Sequence, residues 1–425
     1  MTLLPLLGVS LALAQAPAPS TPTVAGADLM ECYQLAKKQS ETLRLREQDI
    51  VQLEQQYRQA LGSVLPSVTF TYAQKYQEVP HMSGASGSSF FFDNPQPSGV
   101  ITATQPIFSG FREFAGMRGV KHQAEATRLQ LVHAYAALFS DVAQSFYLTL
   151  RLETDLENTR SGIALSKSRI QELRERENLG KSRHSELVLV ESQEAGLEAQ
   201  AEFLLGQIAV ARDMLGFLTG REMADVTLID RLERIAEAPA EAASLARAEK
   251  RTDVLSQDEA LRAQEFYLRA VKGAWSPTLG LTGDYYLKRT AALEPIHWDA
   301  TFLVTMPIFQ GGATLAAQRQ SESQLTQARE RYSLALRQAR SEIHRAWATL
   351  RASVAQSVAA ERAYLKAEEG YRLQTREYRL GLVNNLDVLQ SMNALLDAKR
   401  TFDESVVQSK LNLLSLKVSA EEVPQ

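Results

Sequence analysis

The side chains that chemistry would draw on gather at two points of the chain, each just past a glycine. After Gly381 come Leu382, Val383, Asn384, Asn385 and Leu386, then Asp387 and Gln390. Asp387 and Gln390 are three residues apart, so they share one face of a helix starting there. A carboxylate in that position has two uses. It can satisfy the free backbone N–H groups of the first turn, or it can present negative charge to a passing ion. After Gly180 come Lys181, Ser182, Arg183, His184, Ser185 and Glu186. Ser185 and Glu186 hold the matching place, and Glu186 either caps its helix or accepts a bond from a neighbouring turn. Tyr378 stands three residues before Gly381. None of this is a catalytic constellation. The chain has no His-Glu-x-x-His, no phosphate loop and no Gly-x-Ser-x-Gly, and His122 and His133 lie eleven residues apart, which is no metal spacing. No enzyme activity, cofactor or metal is expected.

The elements that must position these turns come in two copies. Gln105-Pro106-Ile107-Phe108-Ser109-Gly110 recurs 201 residues later as Met306-Pro307-Ile308-Phe309-Gln310-Gly311, and Leu179-Gly180 recurs at the same offset as Leu380-Gly381. Gly62 and Pro66 recur 211 residues later as Gly273 and Pro277. The slip lies in a longer Gly/Ser/Pro loop of the first copy, roughly residues 77–99. A repeat this long indicates a duplicated domain-sized unit rather than a solenoid. Each copy predicts a helix, two strands, a very long helix, a glycine turn and a return helix. Trp298, Ala300, Phe302, Val304 and Met306 alternate with Asp299, Thr301 and Thr305, the pattern of a strand with one apolar face. The long segments are seamed at coiled-coil spacing, by Leu336, Ala339, Ile343, Ala346 and Leu350 in one and by Leu131, Tyr135, Leu138, Val142 and Ser145 in the other.

The predicted organisation is a signal peptide over 1–16, a flexible segment over 17–27, a first repeat over 28–218, a connecting or equatorial segment over 219–250, a second repeat over 251–418 and a tail over 419–425. In the first repeat the strands are expected at about 67–76 and 99–106, the long helix at 113–179 and the return helix at 185–218; in the second, strands at about 278–288 and 297–306, and helices at 314–380 and 386–416. The leader is apolar from Leu3 to Ala14 and ends in small residues, but no Lys or Arg precedes it. Glu31 directly before Cys32 does not fit a lipoprotein cleavage site, so no lipid anchor is expected, and the lone cysteine reads as half-buried on a helix. With 46 Lys+Arg against 50 Asp+Glu in 425 residues, the charge is too balanced for a nucleic-acid partner.

Beyond the leader no run reaches the roughly 18 apolar residues of a spanning helix. A membrane crossing would therefore need strands in a closed barrel. Four strands cannot close one, so several chains must pool them; three chains would give twelve strands, although the sequence does not itself fix three. The expected fold is mainly α with a small β part: long coiled-coil hairpins forming an α-barrel, plus a four-strand contribution to a trimeric 12-stranded transmembrane β-barrel. A coiled-coil scaffold or tether without a pore is the competing reading; it explains the helices but not the leader or the alternating strands.

The order of elements resembles the TolC-like outer-membrane efflux proteins from about Asp28 to Val418. The resemblance is carried by Leu65-Pro66-Ser67, by Gln105 to Phe111, by Met306 to Gly312 and above all by Tyr378 to Arg400, where a helix ends in Gly381 and Asp387-Val388-Leu389 open the return helix. The family resemblance implies a homotrimer in outer-membrane lipid with a long periplasmic tunnel. It implies a conduit for efflux or type I secretion that docks a periplasmic adaptor (membrane fusion) protein and, through it, an inner-membrane pump of RND, ABC or MFS type. It places the glycine turns at the periplasmic tip, with Asp387 as a three-carboxylate ring at the pore entrance and Gln390 where members often carry a second acidic ring. It makes Tyr378 a gating tyrosine, whose usual basic partner is replaced by Val383; Lys181 and Arg183 either substitute or are simply solvated. Gly180, Lys181, Ser182, Gly381, Leu382 and Val383 become the adaptor contact, and Leu382 and Val383 are apolar where Lys181-Ser182 is polar. Phe90-Phe91-Phe92 reads as a rim anchor, a plug or an unstructured loop.

Overall fold

A computed structural model of the protein describes residues 26–78, 95–289 and 295–423. The leader and the Phe90–Phe92 loop lie outside these residues. The chain opens with β1 (Ala27–Asp28) and α1 (Leu29–Gln39), the latter held by a capping box in which Asp28 accepts from the Glu31 N–H and Glu31 accepts from that of Asp28. The first helix expected from the sequence is broken at Ser40, whose hydroxyl accepts from the Leu43 N–H at 3.3 Å and starts α2 (Glu41–Gly62) afresh. Cys32 on α1 is fully buried rather than half-buried, in a core with Tyr33, Phe139, Phe146 and Leu215. Tyr33 meets Phe139 edge-on at 5.1 Å.

β2 (Ser67–Lys75), β3 (Gln96–Phe108), β5 (Thr278–Lys288) and β6 (Trp298–Thr305) form one antiparallel sheet in that order. The two hairpins, one from each repeat, join through β3 and β5. β3 runs past Pro106, where the sequence placed its end, because a register shift between Pro106 and Phe108 accommodates the missing N–H. β2 and β6 are the two free edges, and every residue of β2 is exposed in the single chain. No helix is long and apolar enough to cross a membrane among the described residues.

α3 (Arg112–Asn178) and α7 (Ala313–Arg379) are 67 residues each. At 1.5 Å per residue each runs about 100 Å. They return through α4 (His184–Thr219) and α8 (Asn385–Ser419). The seam read from the sequence is buried: Ala339, Ile343 and Leu350 have no exposure, nor has Val142. Between the repeats, β4 (Leu228–Ile229) pairs in parallel with β1, and α5 (Glu241–Leu245) leads into α6 (Thr252–Lys272), which lies along α3.

One close contact fixes the junction of strands and helices. Gly110 adopts φ +67, and a Cβ there would lie 2.3 Å from the Gly273 carbonyl oxygen; a Cβ on Gly273 would lie 2.5 Å from that of Gly110. Backbone meets backbone, so only glycine fits either side. Their counterparts in the other copy, Gly311 and Gly62, meet nothing within 4 Å in the single chain.

Candidate functional site

Both helical hairpins turn by the same device. The Gly180 N–H bonds the Glu177 carbonyl and the Lys181 N–H the Arg176 carbonyl, each at 2.8 Å; the Gly381 N–H bonds Tyr378 and the Leu382 N–H bonds Glu377, each at 3.0 Å. These are Schellman closures, and the glycines take the left-handed conformation they require, φ +71 and +76. The return helices start differently. In the second turn Asn384 is the N-cap: its side chain accepts from the Asp387 N–H at 3.0 Å, while Asp387 Oδ2 accepts from the Asn384 N–H at 3.1 Å. Asp387 is thus the reciprocal half of a capping box rather than the cap itself. Its Oδ1 has no hydrogen-bond partner among the described residues. In the first turn Arg183 occupies the N-cap position without a side-chain bond, and Glu186 accepts instead from the Ser182 hydroxyl at 2.8 Å.

The structure sorts the remaining sequence candidates by burial. Gln390, Ser185, Lys181 and Arg183 are exposed, and the side chains of Lys181 and Arg183 make no ion pair or hydrogen bond among the described residues. Leu382 is 72% exposed. Val383 differs from the expectation that both apolar residues stand free. It is half-buried and packs on a cluster formed by Ile170, Leu173, Val190 and Val388. Tyr378, expected as a gating tyrosine, is buried in the same cluster of its own chain.

Tyr378 leads to residues that the sequence reading missed. The Arg169 side chain, 4% exposed, lies 3.9 Å from the centre of the Tyr378 ring, and Arg176 lies 4.4 Å from it. Arg169 donates to Asn385 Oδ1 through Nε at 3.0 Å and Nη2 at 2.7 Å, and to Glu172 through Nη1 at 2.8 Å. Glu172 also meets Arg379 at 3.4 Å, and Asn385 Nδ2 donates to the Glu186 carbonyl at 3.4 Å. One buried guanidinium therefore connects α3, α7 and α8, and through Asn385 reaches α4. Desolvation strengthens the contacts of Arg169 with Asn385 and Tyr378 and makes the loss of either costly, whereas Arg379 is largely exposed. The signal was available: Arg169 interrupts the apolar seam of Leu165, Ile170 and Leu173. The corresponding position of the second repeat, 201 residues on, is Gly370.

With this geometry in place, comparison with known proteins is decisive. A family model described as outer membrane efflux protein matches residues 32–221 and 242–416. The chain belongs to the outer membrane efflux protein family. It is 25% identical over 359 residues to the outer membrane efflux protein BepC of Brucella suis biovar 1, covering 83% of this chain and 75% of that one. Its fold is that of the outer membrane protein VceC of Vibrio cholerae, with a TM-score of 0.79 at 16% identity over 92% of this chain and 95% of that one. The Campylobacter jejuni CmeC outer membrane channel superposes with a TM-score of 0.79 at 16% identity, over 98% and 94%. Family membership settles the competition with a pore-less tether: this is an outer-membrane efflux channel chain with a long periplasmic helical part.

A double-mutant cycle tests the buried cluster. Arg169→Met and Asn385→Ala should each lower the melting temperature of the detergent-solubilised protein. Their coupling energy is expected at about 1–3 kcal/mol, the range of a charged hydrogen bond in a shared network. Additive effects would show that the two residues act independently.

Proposed function

We propose that three copies of this chain close a passive conduit that carries small molecules or secreted protein from a periplasmic adaptor and its inner-membrane pump (RND, ABC or MFS) across the outer membrane. The observation that carries this reading is the pair of open sheet edges. In lipid every backbone N–H and C=O needs a partner, so β2 and β6 must each meet another chain. The duplication supplies the pattern. β3 pairs with β5 inside the chain, and the equivalent pairing between copies is β6 of one with β2 of the next. Gly311 and Gly62, free in the single chain, then repeat the Gly110–Gly273 contact across the interface. Thr104 pairs with Thr282 in the chain. Applying the repeat offsets to that pair sets Thr305 of one copy opposite Thr71 of its neighbour.

Cysteine pairing checks the arrangement. Thr71→Cys combined with Thr305→Cys should give a covalent ladder ending at trimer on non-reducing gels, and neither single variant should. A ladder running beyond trimer, or none, would overturn the register.

At the other end, the two tips offer alternating chemistry around a trimer: a cationic turn with Lys181 and Arg183, then a neutral turn crowned by Leu382. The adaptor is read as docking on both, with Leu382 as the apolar contact and Val383 supporting it from below. Leu382→Glu should abolish export and adaptor cross-linking while trimer yield stays unchanged; normal export would remove Leu382 from the contact.

The entrance is assigned to Asp387. Capping occupies one carboxylate oxygen and leaves the other to face the axis, where three copies would favour cations. In planar bilayers under a salt gradient, Asp387→Asn should move the reversal potential toward zero cation preference. An unchanged potential alongside a lower melting temperature would leave Asp387 a helix cap alone.

A further inference from the structure

Far from the tip, three elements bring together residues that the channel function does not use. His133 of α3, Asp253 of the first turn of α6 and Glu421 just beyond α8 each place one ligand atom within 4.8 Å of the others. His133 Nδ1 and Glu421 Oε1 are 2.9 Å apart. We infer that this cluster is a binding site for a divalent transition cation such as zinc, held by one imidazole and two carboxylates.

Four observations carry the assignment. The donor set is that of a zinc-type site: imidazole nitrogen and carboxylate oxygen, with positions left for water. The ligands are already oriented by partners behind them. Glu421 accepts from the Thr252 N–H and hydroxyl, both at 2.7 Å, and Asp253 accepts from Arg251 Nε at 3.0 Å and Nη2 at 2.7 Å. Asp253 Oδ2 and Glu421 Oε2 accept one bond each and keep a second lone pair, so these bonds fix the ligands without consuming them, as outer partners do in metal sites.

The third observation is the cavity. His133 and Asp253 line a space of about 490 Å³ between α1, α2, α3, α4 and α6, with Asp141 on the same wall. Ser256 lines it too, three residues after Asp253 and on the same face of α6. Ser256 is fully buried, and its Oγ has no hydrogen-bond partner. A buried hydroxyl left unpaired is costly. A cation-bound water reaching into the cavity would satisfy it.

The fourth is the backbone. Glu421 adopts φ +51, outside the range that most side chains tolerate. It occupies the position after α8 where the Glu422 N–H closes onto the Lys417 carbonyl at 2.7 Å, a Schellman closure for which glycine is the usual residue. The strain is accepted for what the carboxylate does. Capping α6 accounts for its bonds to Thr252 but not for the histidine opposite or for the unpaired hydroxyl.

The bound ion would staple the end of the chain to both repeats, in the third of α3 nearest the strands. The test uses the full chain in detergent after chelator treatment. Zinc titration by calorimetry should show one equivalent per chain, and cobalt(II) should give visible d–d absorption. His133→Ala and Glu421→Gln should each weaken zinc binding at least tenfold and abolish the cobalt band. His344→Ala, which breaks the comparable His344–Glu241 pair outside this cluster, should change neither. Should either ligand variant fail to fold, the zinc-dependent rise in melting temperature of the wild type, reversed by chelator, is read against Asp253→Asn. Absence of stoichiometric binding to the wild type, or equal binding to His133→Ala, overturns the site and leaves Glu421 a helix cap.

Discussion

Backbone hydrogen bonding at a sheet edge is the constraint on which the rest of this molecule depends. Four strands joined in the order β2-β3-β5-β6 leave an unpaired row of donors and acceptors on each side. Water tolerates such rows; hydrocarbon does not. The chain therefore cannot be a finished object in an outer membrane, and its exposed apolar residues follow from that incompleteness. Val68, Phe70, Trp298 and Phe302 are all more than half exposed in the single chain. On a water-soluble monomer such a surface would be an aggregation hazard. On a strand bound for lipid it is the expected face.

Duplication turns the same constraint into geometry. In the proposed trimer, a contact inside the chain from the first copy to the second has a counterpart leading from the second copy to the first copy of a neighbour. The Gly110–Gly273 contact makes this concrete, because its counterpart residues Gly311 and Gly62 are glycines with open space around them. Gly311 has φ +60 and so a local reason to be glycine, whereas Gly62, at the end of α2 with open space around it, has none. At the opposite end the two copies have diverged. Arg169 has Gly370 as its counterpart, and the box of Asn384 and Asp387 faces a turn where Arg183 caps nothing. The strand end keeps the symmetry that a barrel needs, whereas the tip breaks it, so that one hairpin is clamped by its neighbour and carries an apolar crown.

Much of this was legible in the residues. The apolar seam at Ala339, Ile343 and Leu350 is a spacing pattern, and spacing survives without any knowledge of neighbours. So do the glycine turns, since a left-handed backbone position calls for glycine wherever it occurs. What was not legible depends on partners distant in sequence. Arg169 bonds Asn385, more than two hundred residues away, and a buried arginine looks in sequence like any solvated one unless its seam position is weighed. Tyr378 read as a gating tyrosine from its place before Gly381, yet its ring on α7 packs against Arg169 and Arg176 of α3. Val383 read as free because the turn that holds it is a surface feature. The N-terminus of α8 was misassigned by one element of the box: Asn384 and Asp387 are three apart, the spacing of a reciprocal cap, and the more strongly charged member drew the role of both.

The distribution of polar groups along α3 gives the two hairpins different mechanical standing. Toward α4, α3 buries Leu152 and Leu156 against Ala201, Leu204 and Ile208, an ordinary apolar interior. Toward α8 it buries apolar residues as well, Phe146 in one core with Leu414 and Ile170 in another with Val388, and between these cores it adds buried polar groups. Asn158 donates to Asp403 at 2.7 Å, and Asp155 stands 3.6 Å from Arg400, its carboxyl raised above the usual range because burial disfavours the charge. Lower down, Arg169 meets Asn385. An apolar interface holds through area and tolerates sliding, while a buried polar one contributes little net stability but penalises every register except its own. The seam between the two hairpins thus combines apolar packing with a set of discrete polar catches. Motion that leaves the hairpins intact and changes their relation has to release these catches together, and the tightest of them, at Arg169, lies beside the turns.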